Sequence, residues 1–441
     1  IAVADGETVS IGDFHCEFLP VTHSTPKGLI SAIRTPQGLI LHSSDFKLDN
    51  NPVDGRITDL DRIAALSKDP GIRLLLCDST NAELSGSSIS ESEVGDGLEE
   101  IFMKFQHERI IATCFSSHIH RIQQIIDISK EQGRKVATLG FSMERNISLA
   151  RSLGVISVSE DDLVDISEIE TYPKNQICVI STGSQGEPRS SLNLSAQNSG
   201  KWLRIDENDV IIFSSRTIPG NEKRVARLVN NLVSLGASVV NDENLNTHTS
   251  GHGQREELSE LHQTANPEWF IPVHGELRHL VAHRELAIEI GTNPKNALLA
   301  TDGDQVIMED SGLTLNRKKC QGHYIFSQGS IVETGHDLFK DRNILGKEGC
   351  VIARVSISEK DKTLIGAPSV ISKGWLSADI SERYEQEIED QLSTELKSFL
   401  ESRKELTQEV LEQKVRRITG TMVNDSTKRR PMIIPLVDIL P

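Results

Sequence analysis

No stretch of this sequence approaches the roughly 18 to 20 consecutive apolar residues that a membrane-spanning helix needs, and no two of its cysteines stand in C-x-x-C spacing. The first absence excludes the usual helical membrane protein, and the second a zinc ribbon. Cys16, Cys77, Cys114, Cys178, Cys320 and Cys350 are scattered, several in apolar runs such as LLLCD and QICVI. They read as reduced core thiols of a cytoplasmic protein, not as a disulfide frame. Positive charge is also short: 47 Lys and Arg against 64 Asp and Glu leave a formal charge of −17. Phosphate binding gains from a basic surface, so a nucleic-acid partner requires positive charge concentrated locally, or metal ions in a focused cleft. At 441 residues, 37% of them hydrophobic and 25% charged, the chain is neither disordered nor too short for two or three domains with their own cores.

From residue 1 to about 300, short Val- and Ile-rich runs alternate with helical patterns, the rhythm of an α/β layered fold. Strands are expected at Gly38–His42, Ile72–Cys77, Arg109–Cys114, Lys135–Leu139, Ile177–Ser181, Val210–Phe213 and Trp269–Val273. Helices with one apolar stripe each are expected at Arg121–Gln132, Glu222–Leu235 and Leu277–Ile290. Residues 328–349 turn Gly-rich and polar, as a linker does. A small α+β module then follows, with strands Cys350–Ile357 and Ser369–Ile371, helices near Ser381–Leu400 and Thr407–Thr419, and a last strand in MIIPLVDIL.

Nearly every unusual polar cluster lies just after a strand, where open α/β sheets bind ligands. HTSGHG, His248 to Gly253, has too much glycine for a helix and reads as a tight loop of imidazoles, a hydroxyl and free N–H groups. Such a loop can hold a phosphate and donate a proton. His274 ends the apolar strand WFIPV, and neutral imidazole is a common zinc ligand. His23 lies in the loop LPVTHSTPKG. Asp45 and Asp78 each stand at the end of an apolar run, where a carboxylate is costly unless paired or bound to metal. Ser116, Ser117 and His118 sit between a strand and a helix N-terminus, a place that favours phosphate. His118-Ile119-His120 is the one H-x-H in the chain, and it reads as a loop-to-helix junction.

VTHS, HSSDFKLD, CDSTNAE, FSSHIHRIQQI, STGSQGEP, FSSRTIPGNE, HTSGHG and IPVHGELRHL, in this order over residues 15–285, resemble ribonuclease J of the beta-CASP branch of the metallo-β-lactamase fold, and RRPMIIPLV is similar to that family's C-terminal strand. The resemblance implies a partial metallo-β-lactamase αββα sandwich over 1–85 and 261–327, an inserted beta-CASP α/β domain over 86–260, a linker over 328–349, and a C-terminal α+β oligomerisation domain over 350–441. It further implies a zinc-dependent ribonuclease, endonucleolytic and 5′-to-3′ exonucleolytic, acting on 5′-monophosphorylated single-stranded RNA in rRNA processing and mRNA decay. His23, Asp45 and His274 would ligate metal, with Asp45 also catalytic. His252 would be proton donor or phosphate-orienting group, and Asp78 would position it. Ser116, Ser117, His118, His248, Thr249, Ser250, Gly251 and His252 would cradle phosphate. A homodimer or homotetramer is expected, with no membrane association.

The fold's H-x-H-x-D-H motif is absent after Ile1, and in the family it precedes this point. The expectation is therefore a fragment that carries three ligands of a two-zinc site, binds zinc weakly and is inactive alone. Two rivals are a DNA-processing beta-CASP nuclease and a non-catalytic RNA-binding scaffold.

Overall fold

The computed structural model describes residues 2–241, 246–322, 326–328, 331–333, 336–402 and 407–441. They form two compact units, Ile1–Gln321 and Gly322–Pro441.

The first unit holds two sheets. In one, Thr8–Ile11, Phe14–Pro20, Leu29–Thr35 and Gly38–His42 form an antiparallel meander, continued in parallel by Ile72–Asp78 and then Trp269–Val273. The other is fully parallel, in the order Ser238–Val240, Asp209–Phe213, Arg109–Thr113, Ile177–Ser181, Lys135–Leu139. Its strands read as unbroken apolar runs because both faces are covered. Ile110, Ala112, Cys178 and Ile180 enter one core, while Ile111, Ile177, Val179 and Ile211 enter the opposite one.

The chain leaves the first sheet at Asp78, builds the second, and returns to lay Trp269–Val273 beside Ile72–Asp78, with Val273 opposite Asp78. That register sets the ends of two strands nearly 200 residues apart side by side. Beneath them Phe270 is fully buried and takes His262 and His283 edge-on at 4.8 Å on either side. Burial of such a ring contributes about 1.5–3 kcal/mol. A small hairpin, Gln305–Glu309 with Gly312–Asn316, was not foreseen in the sequence.

In the second unit the strand Cys350–Ser358 pairs antiparallel with Ser369–Lys373 and parallel with Met432–Leu440 along its whole length. Helices Ala378–Ser402 and Gln408–Thr427 pack on this sheet through Leu392, Leu396, Leu411 and Val415. Residues 328–349, expected as a linker, hold the strand Ile331–Glu333 and the helix His336–Glu348. Between Gly335 and Gly346 no glycine or proline interrupts the chain, which is enough for a helix to run. Residues 329, 330, 334 and 335 lie outside the described residues.

All six cysteines are free; Cys16, Cys77, Cys114 and Cys178 are buried as expected of core thiols, whereas Cys350 is half-buried and Cys320 exposed. Cys320 follows the charged run Arg317–Lys319, which no core can take in.

Candidate metal and phosphate site

Five side chains meet at the carboxyl edge of the first sheet. Asp45 Oδ1 lies 3.4 Å from His274 Nε2, and Asp45 Oδ2 lies 3.9 Å from His23 Nε2. His252 Nδ1 lies 2.6 Å from Asp78 Oδ2. Its ring centroid is 5.1 Å from that of His23 and 5.4 Å from that of His274. Ligand atoms of His23, Asp45 and His252 fall within 4.8 Å of one another, and so do those of Asp78, His252 and His274.

Each group is held from outside. His23 Nδ1 donates to the Gly251 carbonyl at 2.7 Å, so Nε2, which the Ser24 hydroxyl reaches at 3.2 Å, carries the lone pair a ligand needs. Only glycine allows this approach, since a Cβ at residue 251 would stand 2.7 Å from His23 Cε1 and 2.8 Å from Ser24 Oγ. His274 has φ +54, a left-handed conformation at the strand's end. Its carbonyl accepts from Ser79 N at 3.3 Å, with Thr80 Oγ1, whose proton goes to Asp78 Oδ1 at 2.7 Å, also 3.3 Å away, which holds the bend. The loop after Asp45 is pinned where Asp49 accepts from Ser90 Oγ (2.8 Å) and from Glu91 N (2.9 Å) at a helix start, with Lys47 at 3.1 Å.

Burial alone would raise the Asp78 carboxyl. The hydrogen bond and charge of His252, with the Thr80 N–H and hydroxyl, outweigh it and hold the carboxyl below its usual range. Burial pulls His252 down, but the hydrogen bond and charge of Asp78 and the charge of Asp45 prevail and raise it. For His23 burial wins, and its imidazole is held neutral more firmly than usual. A neutral imidazole whose other nitrogen donates to a backbone carbonyl is what a metal-ligating histidine needs. With Asp45 and His274 the donor set of nitrogen and oxygen fits a borderline divalent cation such as zinc.

The HTSGHG loop is irregular, as expected. Ser250 Oγ accepts from Asn81 Nδ2 at 2.8 Å and from His252 N at 3.1 Å, which leaves its own proton to donate. Thr249 Oγ1 donates to Ile89 O at 2.9 Å, inside the protein. His248 is half-buried, its Nδ1 has no hydrogen-bond partner among the described residues, and burial lowers it to about 3. His118 is buried, its Nδ1 accepts from Arg121 N at the helix start, and it lines the small cavity that also touches His23, Ser250 and Gly251. Ser116 accepts from Asn146 Nδ2 at 2.8 Å through its carbonyl, while Ser117 is exposed; neither lines that cavity.

Two residues escaped sequence reasoning. Asn81 ties Ser250 and the His252 carbonyl, at 2.8 Å each. Glu257, 3% exposed, accepts from Leu48 N, Ser88 N, Ser88 Oγ and Gln254 N, joining the Asp45 loop to the His252 loop. The signal for Asn81 was its place three residues after a strand-end Asp; for Glu257 nothing local distinguishes it from a solvated helix carboxylate.

Residues 107–232 match the profile "Ribonuclease J, beta-CASP domain", 240–298 the "Zn-dependent metallo-hydrolase RNA specificity domain", and 338–438 the "Ribonuclease J C-terminal domain". The chain is 36% identical over 438 residues to a ribonuclease J of Mycobacterium tuberculosis (strain CDC 1551 / Oshkosh), covering 99% of this chain and 77% of that protein. Against ribonuclease J of Mycolicibacterium smegmatis it is 35% identical over 443 residues, covering 99% and 77%. Against ribonuclease J 2 of Staphylococcus aureus (strain NCTC 8325 / PS 47) it is 32% identical over 420 residues, covering 95% and 75%.

Proposed function

The chain belongs to the ribonuclease J family, and from that premise we propose that it hydrolyses RNA phosphodiesters at the cluster of His23, Asp45, Asp78, His252 and His274. The observation that carries the reading is the Asp78–His252 pair at 2.6 Å, set against the His23, Asp45 and His274 donors. His23, Asp45 and His274 are the residues that hold zinc. When bound, zinc supplies Lewis acidity towards phosphoryl oxygen and water.

The protein's own groups do the rest. Asp78 accepts a hydrogen bond from Nδ1–H of His252, which fixes the tautomer and favours the imidazolium. Nε2 then gives its proton to the departing 3′ oxygen as the P–O3′ bond breaks. Water supplies the new oxygen on phosphorus, so the products carry a 5′ phosphate and a 3′ hydroxyl. The Ser250 hydroxyl and the exposed Ser117 contact phosphate.

The substrate is single-stranded RNA with a 5′ monophosphate, cut internally and trimmed from the 5′ end in cytoplasmic RNA maturation and decay; the names of the relatives and the RNA specificity profile over 240–298 support RNA as the polymer. The second unit serves self-association, a role supported by exposed Ile371, Ile380, Leu436 and Leu440. Incubation of the zinc-loaded full-length protein, carrying the family's H-x-H-x-D-H segment ahead of these residues, with 5′- and 3′-labelled RNA tests this. Mononucleotides from the 5′ end together with internal fragments are expected; an uncut RNA, or equal cutting by His252→Ala, refutes it.

A further inference from the structure

A chain with 17 more carboxylates than cations has to place its positive charge with care if it binds RNA. The second unit shows one such place. Arg416, Arg417, Arg429 and Arg430 line a groove of ≈ 420 Å³ between the end of helix Gln408–Thr427 and the start of strand Met432–Leu440. Gly420, Thr421 and Asn424 line it too, and Asp425 is the one carboxylate that does. A Cβ on Gly420 would come no nearer than 4.0 Å to Ile433, so the helix surface is open there.

Elsewhere in this unit Arg354 is paired with Asp438, Arg383 with Glu387 and Lys414 with Glu395, while lysines such as Lys360, Lys373 and Lys397 stand singly among the described residues. Arg429 is committed to the Trp375 carbonyl at 2.7 Å. Among the described residues, Arg416, Arg417 and Arg430 make no ion pair and no side-chain hydrogen bond, and all three are exposed. One cation suffices to complement a helix's carbonyl end. Four guanidiniums against Asp425 in the lining, with Glu395 close enough to Arg417 to feel its charge, leave the groove positive on balance.

We propose that this groove binds the sugar–phosphate chain of RNA, as a contact additional to the cleavage site. The proposal rests on RNA being the substrate. Guanidiniums match phosphate with paired N–H donors, and the Thr421 and Asn424 side chains suit ribose hydroxyls. No aromatic ring lines the groove, so bases have nothing to stack on. Recognition there is independent of sequence and dependent on salt.

The test uses the whole protein carrying Arg416→Gln, Arg417→Gln and Arg430→Gln together, leaving Arg429 in place. Affinity for a long 5′-phosphorylated RNA is measured by fluorescence anisotropy over a range of salt. Three lost phosphate contacts at about 0.7 each lower the slope of log Kd against log salt by about 2, and weaken binding about tenfold or more. The triple Arg→Lys variant should keep the wild-type slope. Cleavage of a 5′-phosphorylated dinucleotide, which can occupy only one of the two places, should be unchanged in all three proteins. An unchanged slope in the Gln variant overturns the proposal. So does weakened RNA binding accompanied by a lower mass in light scattering, because the groove would then hold the acidic surface of a second copy. If the wild type leaves the dinucleotide uncut while the slope falls as expected, the catalytic reading fails and the groove stands.

Discussion

His252→Ala is the substitution that asks most of this site. Asp78 is 1% exposed and its Oδ2 lies 2.6 Å from His252 Nδ1, so a carboxylate shielded from water backs a ring that is open to solvent on its other side. Loss of a general acid costs about 100- to 10 000-fold in rate, or roughly 2.7–5.4 kcal/mol of transition-state stabilisation. Asp78→Asn should give a loss of the same order without deleting the ring. Thr80 N and Oγ1 both donate to Asp78 Oδ1, which keeps the amide oxygen there and turns the NH2 towards His252 Nδ1. A donor facing Nδ1 disfavours the imidazolium, and with it the proton on offer to the leaving oxygen. Single-turnover cleavage with enzyme in excess gives the rate, and elemental analysis of the same samples gives the metal content. Metal content should be unchanged in both variants, because His252 is assigned to the leaving oxygen and not to zinc. A rate within a few-fold of wild type, or zinc lost in proportion to the rate, would refute the assignment; the latter would make His252 a ligand.

His274→Ala should lose zinc and turnover together, since Asp45 at 3.4 Å would have to hold the ion with one partner fewer; unchanged zinc and unchanged turnover would sink the ligand role. Ser250→Ala should weaken RNA binding by about 1–3 kcal/mol, read from Kd, with the single-turnover rate at saturation nearly unchanged. Burial lowers His262 to about 4 and His283 to about 3, so both are neutral in the folded protein. Below about pH 6.5 the unfolded chain binds protons that the folded one refuses, so stability falls with pH until the folded values are reached, by on the order of 3 kcal/mol for His262 and about 5 kcal/mol for His283. His283→Phe should flatten part of that decline in thermal melts between pH 7 and pH 4; an unchanged slope would show that other groups set it. Deleting the residues beyond about 346 should lower the number of copies per particle in light scattering, and an unchanged oligomeric state would remove the self-association role.

The strands that carry Asp45, Asp78 and His274 were legible because their apolar runs are local and each polar group stands just past an end. The irregular HTSGHG loop was legible for the same reason, since glycine acts on the backbone beside it. The helix His336–Glu348 was not, because the glycines around it suggested a linker and only its interior shows the absence of breakers. Nor does a linear pattern reveal burial: His118, placed by the sequence at a strand-to-helix junction, is a buried helix cap. Local periodicity and strand-end placement, both consequences of side chains within a few residues of one another, settled the strands that carry the site and which residues stand at their edges. Only the tertiary structure decided that His23 meets Gly251 across 228 positions, that Asn81 and Glu257 lock the loops, and that Asp78 faces His252. Those contacts depend on a whole inserted sheet returning the chain to the register of Val273 against Asp78, and a register between distant strands is fixed by packing that no local stretch contains.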